Sequence, residues 1–212
     1  KIDPGKQTVS GVELDGGHFE LPYDRLLIAT GSSAVLPDLA GFEAAGVMVV
    51  KSLEDGRKIK NFLKNNSVKK AIIIGMGYIA LEMCESLVGL NIAVDMVKPN
   101  PVFMPWLEPS MARAVREGLE AKGVGVYAGH PVERIETSGD GLKVICPDLT
   151  LTADMVLVGI GVNPCSRIAA TADLELGVKK SIAVDRNLRT SDINIYAAGD
   201  CADAYHVVTG EK

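Results

Sequence analysis

The sequence predicts an α/β fold that is built around a parallel β-sheet. Two continuous apolar runs, 71–74 and 92–97, enclose a helical segment that reaches to about Val88. Two parallel strands need such a crossover, because the chain must return to the same end of the sheet before the second strand begins. Further apolar runs at 26–29 and 153–162 are typical of buried parallel strands.

The composition is that of an ordinary globular protein. Of the 212 residues, 47% are hydrophobic and 23% are charged, which argues against a disordered or fibrous chain. The net charge of −5 argues against a non-specific nucleic-acid binder. The longest apolar stretch, 71–81, is too short to span a bilayer. The four cysteines are widely separated, which predicts a reducing, cytoplasmic setting without disulfides. We therefore expect neither a nucleic-acid nor a membrane partner.

The motif Gly75-x-Gly77-x-x-Ala80 follows the first strand of this unit and opens its helix. Gly75 permits a tight turn, Gly77 lets the backbone approach a pyrophosphate, and Ala80 allows close packing of helix on strand. Tyr78 and Ile79 begin the helix, whose N-terminal N–H groups favour an anion. The pattern predicts a Rossmann-like dinucleotide site. The alternative is a glycine turn between packed elements.

The end of the second strand bears on the choice of dinucleotide. A carboxylate at this position accepts a hydrogen bond from the ribose 2′-hydroxyl of NAD. This chain has Lys98 there, which favours NADPH slightly because an ammonium group pairs with a 2′-phosphate. Asp95 is a poor substitute, since it lies on the same face of a regular strand as Val97. Alternatively, the Lys98 side chain extends into solvent and does not distinguish the two cofactors.

Shorter elements are predicted on both sides of this unit. Alternation of polar and apolar residues around a glycine turn predicts a β-hairpin over 8–21. Residues 32–50 resemble a linker, because proline and glycine interrupt any period. Ser52 and Asp55 form a capping-box pattern that predicts a helix to about Asn65.

The second half of the chain continues the alternation of helix and strand. A helix is predicted to begin at Pro109, with Met111, Val115 and Leu119 forming one apolar stripe. Short antiparallel strands with a turn at 138–141 are predicted to follow, and after them a single strand over 153–162. We expect a parallel sheet with helices on both sides plus an antiparallel meander.

Three motifs, in this order, resemble those of the FAD-dependent pyridine nucleotide–disulfide oxidoreductases. Segment 71–82 is similar to the NAD(P)H-binding motif of that family, 23–31 to its YDxLLIATG segment, and 190–201 to its second FAD motif. Residues 205–210 are similar to the branch that contains NADH oxidases, NADH peroxidases and coenzyme A-disulfide reductases.

The resemblance implies a domain organisation and an activity. Residues 1–46 and 164–212 would be two segments of an FAD-binding domain, and 47–163 an NAD(P)-binding domain. The parent enzyme would pass hydride from NAD(P)H to FAD and on to a small acceptor such as a disulfide, oxygen or peroxide. The family's first FAD motif, redox cysteine and C-terminal dimerisation domain have no counterpart in these 212 residues. We therefore expect an internal fragment of a homodimeric enzyme that is inactive and colourless by itself.

The resemblance also implies roles for single residues in the FAD segments. Asp200 would hydrogen-bond to the ribityl chain of FAD, and its alternative role is an Asx turn after a strand. Thr30 and Gly31 would lie along the FAD near the crossover between the two domains.

Four further residues would lie on the nicotinamide side. Tyr78 would cover the flavin as a gate, and Glu82 would face the nicotinamide pocket from the first turns of the helix. Gly159 and Gly161 would let the backbone approach the nicotinamide. The alternative for Tyr78 is a residue that packs at a domain edge, and the alternative for Glu82 is an ordinary solvated side chain.

We predict neither a catalytic residue nor a metal site in this chain. Each cysteine lacks a neighbouring base or a paired cysteine, and the three histidines are far apart in the sequence. Two other functions remain open. The chain could be an NAD(P)H-sensing module without turnover, or part of a flavin reductase that feeds a rubredoxin, a ferredoxin or a nitrite reductase centre.

Overall fold

The computed structural model describes residues 1–139 and 141–212. Asp140, which belongs to the predicted turn at 138–141, lies outside the described residues. The chain forms two compact units. We call Ala34–Gly161 the central unit, and Lys1–Ser33 together with Val162–Lys212 the flanking unit.

The strands are β1 (Ile2–Asp3), β2 (Thr8–Val12), β3 (His18–Pro22), β4 (Leu26–Ile28), β5 (Ser32–Ala34), β6 (Val47–Val49), β7 (Lys70–Ile74), β8 (Ala93–Lys98), β9 (Gly125–Ala128), β10 (Arg134–Ser138), β11 (Gly141–Ile145), β12 (Thr150–Ala153), β13 (Met155–Val158), β14 (Val162–Pro164) and β15 (Ile195–Ala197). The helices are α1 (Leu53–Asn65), α2 (Tyr78–Gly89), α3 (Pro109–Ala121) and the short α4 (Arg167–Ala170), with a 3₁₀ turn at Val178–Lys180.

The central unit is organised around a five-stranded sheet of order β6-β13-β7-β8-β9. All four strand pairs are parallel, which confirms the predicted parallel sheet and its unit of β7, α2 and β8. The prediction of a linker over 32–50 was wrong, because β6 lies within it. This strand has only three residues, and its partner β13 is distant in the sequence. Local periodicity therefore does not reveal it.

Alternate residues of the sheet face two different layers. Ile73 and Met96 pack into a core with side chains of α1, α2 and α3, whereas Ile72 and Val97 pack against strands β10, β11 and β12. The expectation of helices on both sides was therefore wrong. The antiparallel meander itself covers the second face, because its strands present their own row of apolar side chains to the sheet.

The predicted single strand over 153–162 is also corrected. It divides into the end of β12 and the separate strand β13, with Asp154 between them. The Asp154 carboxylate accepts hydrogen bonds from the amides of Lys69 (2.8 Å) and Lys70 (2.9 Å). These bonds connect the residue between β12 and β13 to the start of β7.

The predicted helix starts are confirmed. The amide of Asp55 donates to the Ser52 hydroxyl (3.1 Å) and the amide of Ser52 donates to the Asp55 carboxylate (2.9 Å), which is a capping box with Asp in place of Glu. In α3, Val115 packs against the core as predicted, but Met111 is 58% exposed and Ala112 is buried instead.

Residues 34–46 pack with the central unit, whereas the sequence prediction put them in the first flanking segment. The amide of Ile135 donates to the carbonyl of Ala40 (2.9 Å), and Phe42 is buried in the core of the meander side. Gly41 has φ of +85°, and a Cβ there would overlap the Ile135 carbonyl. These contacts join positions that are distant in the sequence.

The flanking unit contains the predicted hairpin, in which β2 and β3 pair with β1 alongside. Strands β4 and β15 form a separate parallel pair whose inner face, with Ile28 and Ile195, is buried. Leu27 lies on the opposite face and is 60% exposed. Within the described ranges of both units, no helix has the length and apolarity that a bilayer crossing requires.

Candidate functional site

The predicted dinucleotide residues gather at one edge of the central sheet. In a parallel sheet all carboxyl ends lie at the same edge, and ligands bind there where neighbouring connections diverge. Loops leave this edge after β7, β8 and β13. The residues at these loops and in the first turns of α2 are Gly75, Gly77, Tyr78, Ile79, Ala80, Glu82, Lys98, Gly159 and Gly161.

Gly75 is required by the protein's own backbone. Its φ is +120°, and a Cβ there would overlap the carbonyl oxygen of Gly159. Both glycines are held in place, since the Gly75 amide donates to the Val97 carbonyl (2.8 Å) and the Gly159 amide donates to the Ile74 carbonyl (2.8 Å). Gly75 therefore allows the loops after β7 and β13 to touch.

Ala80 packs against the same loop. It is buried on the inner side of α2, and a Cβ at Gly159 would lie 3.5 Å from the Cβ of Ala80, an ordinary van der Waals distance. A small residue at position 80 thus brings the start of α2 close to the end of β13.

Gly77 has a different role from Gly75. Its φ of −87° is open to any residue, and no described atom lies within 4 Å of where a Cβ would be. It is the N-cap of α2, where no described side chain caps the helix. The first N–H groups of a helix lack intrahelical partners and carry partial positive charge. The open space at Gly77 therefore suits an anion such as a pyrophosphate.

An aromatic pair stands beside this helix start. Tyr78 is 70% exposed, and its ring lies 5.8 Å from that of Trp106 at an interplanar angle of 48°. Glu82 is exposed one turn further along α2. Sequence reasoning missed Trp106; the available signal was that it is the chain's single tryptophan, in a loop that follows β8.

Lys98 lies at the end of β8, where the sequence predicts it. Its ammonium group donates to the carbonyl of Val102 (3.0 Å) within its own loop, and burial lowers the pKa of this lysine. Asp95 is buried and paired with the ammonium group of Lys70 (2.8 Å). The Asp95 carboxylate is therefore engaged inside the sheet and does not reach the edge.

The last glycine of the set, Gly161, follows β13 with φ of +124°, and its carbonyl accepts a hydrogen bond from the amide of Val35 (3.0 Å). No described atom lies within 4 Å of its missing Cβ. Like Gly77, it leaves open space at the carboxyl edge, but only a residue that tolerates positive φ fits there.

In the flanking unit, the predicted FAD residues lie at the carboxyl ends of β4 and β15. The hydroxyl of Ser32, which sequence reasoning missed, donates to the Asp200 carboxylate (2.9 Å). The Thr30 hydroxyl donates to the carbonyl of Cys165 (2.5 Å), and Gly31 has φ of +68°. Since β4 and β15 are parallel neighbours, these loops share one edge.

The cysteines do not form a reactive centre among the described residues. Cys84, Cys146 and Cys201 are buried free thiols, and Cys165 is half-buried. Burial raises the pKa of Cys84 to about 11, which keeps it protonated and unreactive. Over 1–139 and 141–212, no group of three or more histidine, cysteine or acidic side chains is arranged to hold a metal ion.

Comparison with known proteins shows which family the chain is similar to. The family model described as "Pyridine nucleotide-disulphide oxidoreductase" matches residues 1–210. The chain is 35% identical over 212 residues to NADH oxidase from Methanocaldococcus jannaschii, covering 100% of this chain and 47% of that protein. It is 32% identical over 212 residues to rubredoxin-NAD(+) reductase from Pseudomonas putida, covering 99% and 53%.

The fold is also found in solved structures. The chain matches the NAD-dependent persulfide reductase from A. fulgidus with a TM-score of 0.92 and 36% identity, over 100% of this chain and 39% of that one. The chain spans about half the length of the curated relatives it matches.

Proposed function

Because the chain belongs to the pyridine nucleotide–disulphide oxidoreductase family, we propose that it is the NAD(P)H-binding portion of a flavin enzyme that passes hydride from NAD(P)H to FAD and on to a small acceptor. The central unit would bind NAD(P)H, and the flanking unit would supply two segments of the FAD-binding domain. The cofactors would supply the hydride chemistry, and the protein would bind and orient them.

The observation that carries the proposal is the open, uncapped start of α2. Gly77 leaves space for a pyrophosphate, and the first N–H groups of α2 have no side-chain cap. Gly75 and Ala80 serve the packing that holds this helix start against the loop after β13. A dinucleotide whose pyrophosphate is held here would lie along the carboxyl edge of the sheet.

The two ends of the dinucleotide would follow from this anchor. Tyr78 and Glu82 would line the nicotinamide side, with Gly159 and Gly161 forming a backbone surface that a flat ring can approach. The adenosine end would lie over the loop after β8, which carries Lys98. Since the Lys98 ammonium is bonded to the Val102 carbonyl, reaching a 2′-phosphate would require that bond to break, so NADH and NADPH both remain candidates.

The flanking unit fits an FAD segment. Two parallel strands end in loops with positive-φ glycines, Gly31 and Gly199, which permit close approach of a ligand. Asp200 follows directly and would bind the ribityl chain, with Ser32 orienting its carboxylate. Leu27 is exposed on one face of β4, and parallel strands are normally covered on both faces. A further layer of the FAD-binding domain would cover this face.

The acceptor is the part that differs among the relatives. They are named as an NADH oxidase, a rubredoxin-NAD(+) reductase and an NAD-dependent persulfide reductase. A second candidate function is therefore electron delivery to a small redox protein, which the 32% identity to rubredoxin-NAD(+) reductase favours.

Anaerobic reduction of the full-length protein tests this proposal. We expect bound oxidised flavin that loses its visible absorbance when NADH or NADPH is added. Reoxidation by oxygen, by a disulfide, by a persulfide or by rubredoxin would then identify the acceptor from the fastest recovery. A protein without flavin would contradict the proposal, as would flavin that dithionite reduces and neither dinucleotide does.

A further inference from the structure

His130 lies directly beside the predicted adenosine end of the site. Strand β9 ends at Ala128, and the following residue, Gly129, turns the chain with φ of +95°. The amides of Gly129 and His130 both donate to the carbonyl of Lys98, at 2.9 and 3.0 Å. The loop that follows β9 is thus fixed against the residue at which a dinucleotide's ribose is expected.

The imidazole of His130 is oriented by a carboxylate. Its Nδ1 lies 2.9 Å from an Asp148 carboxylate oxygen, and the histidine side chain is 27% exposed. The Tyr127 and His130 rings lie in an edge-to-face arrangement with a centroid distance of 6.3 Å. Because Nδ1 is engaged by Asp148, Nε2 is the ring nitrogen left to meet a ligand.

Several charged or titratable groups surround this imidazole. The Asp148 carboxylate is the nearest charge, and the histidine's hydrogen bond holds the pKa of Asp148 below its usual range. The other titratable groups in the surroundings are Lys98, Tyr127, Glu133 and Cys146, whose thiol approaches the His130 carbonyl (3.8 Å). The Lys98 ammonium is turned toward the Val102 carbonyl, so it does not compete with His130 for a nearby anion.

We propose that His130, positioned by Asp148, is the residue that distinguishes the 2′-phosphate of NADPH from the 2′-hydroxyl of NADH, and that it does so in a pH-dependent way. The imidazolium donates a charge-assisted hydrogen bond to the phosphate, whereas the neutral ring does not. This inference rests on the proposed function, because it assumes a dinucleotide at the carboxyl edge.

Binding of NADP⁺ and NAD⁺ to the full-length protein tests the inference without turnover. We expect the selectivity ratio, Kd for NAD⁺ over Kd for NADP⁺, to be about tenfold higher near pH 6 than near pH 8, since one charge-assisted hydrogen bond is lost. In His130→Gln this ratio should fall by about tenfold near pH 6, with the Kd for NAD⁺ unchanged. The pH dependence that remains in this variant should be that of the 2′-phosphate alone. Asp148→Asn should lower the ratio near pH 6, because the amide no longer holds the His130 ring as the carboxylate does.

Two comparisons make the result decisive. The 2′-phosphate itself titrates near pH 6, so the pH effect is taken as the difference between wild type and His130→Gln, in which that titration cancels. His18→Gln, in β3 of the flanking unit, is the matched control and should behave as wild type. An unchanged ratio in His130→Gln, with normal NAD⁺ binding, overturns this inference alone. Failure of wild type to bind either dinucleotide overturns the proposed function and this inference together.

Discussion

Replacing Gly75 with alanine is expected to destabilise the central unit by about 3 kcal/mol. The residue has φ of +120°, which an alanine adopts only at a cost, and its Cβ would overlap the carbonyl oxygen of Gly159. That carbonyl cannot swing away freely, because the amide of the same residue is bonded to Ile74 (2.8 Å). Denaturant unfolding followed by Trp106 fluorescence measures the effect, since this single tryptophan lies in the central unit.

The matched control for Gly75→Ala is Gly56→Ala. Gly56 lies in α1, where a Cβ meets no described atom within 4 Å, so alanine should be neutral or stabilise by up to about 1 kcal/mol. Equal stability of the Gly75 and Gly56 variants would show that the loops after β7 and β13 do not touch as described.

Replacing Gly77 with glutamate should weaken NADH and NADPH binding by at least about 100-fold, because a bulky anion would occupy the space and the helix terminus that the pyrophosphate needs. The unfolding free energy should change by less than about 1 kcal/mol, since φ of −87° suits any residue and the Cβ position is open. Titration calorimetry gives the affinities, and the unfolding experiment above gives the stability.

Gly77→Ala provides a graded comparison for this result. Its single methyl group adds no charge, so its loss of affinity should be smaller than that of Gly77→Glu. Wild-type affinity in the glutamate variant would remove the start of α2 from the binding site, whereas loss of stability would mean that Gly77 serves the fold.

The difference between these two glycines shows what local sequence could predict. The spacing of Gly75, Gly77 and Ala80 after an apolar strand was sufficient to predict the turn, the helix and the parallel sheet. It did not show that Gly75 is required by Gly159, because that contact joins positions more than 80 residues apart. The capping box at Ser52 was predictable for the same reason of locality.

Long-range packing accounts for the elements that the sequence did not predict. Strand β6 is defined by its pairing with β13, and Gly41 by its approach to Ile135, so both looked like linker. The placement of all three long helices on one face follows from the meander covering the other. Trp106 and His130 enter the site region only through tertiary contacts with Tyr78 and Lys98.

The central claim is that the carboxyl edge of the parallel sheet binds a pyridine dinucleotide, and amide chemical-shift mapping tests it most directly. On adding NADH to the ¹⁵N-labelled chain, we expect the largest shifts at the amides of Gly75, Gly77, Ile79 and Gly159, in the loops after β7 and β13. Largest shifts in the meander or in the hairpin of β2 and β3, or no shifts at saturating NADH, would contradict the claim.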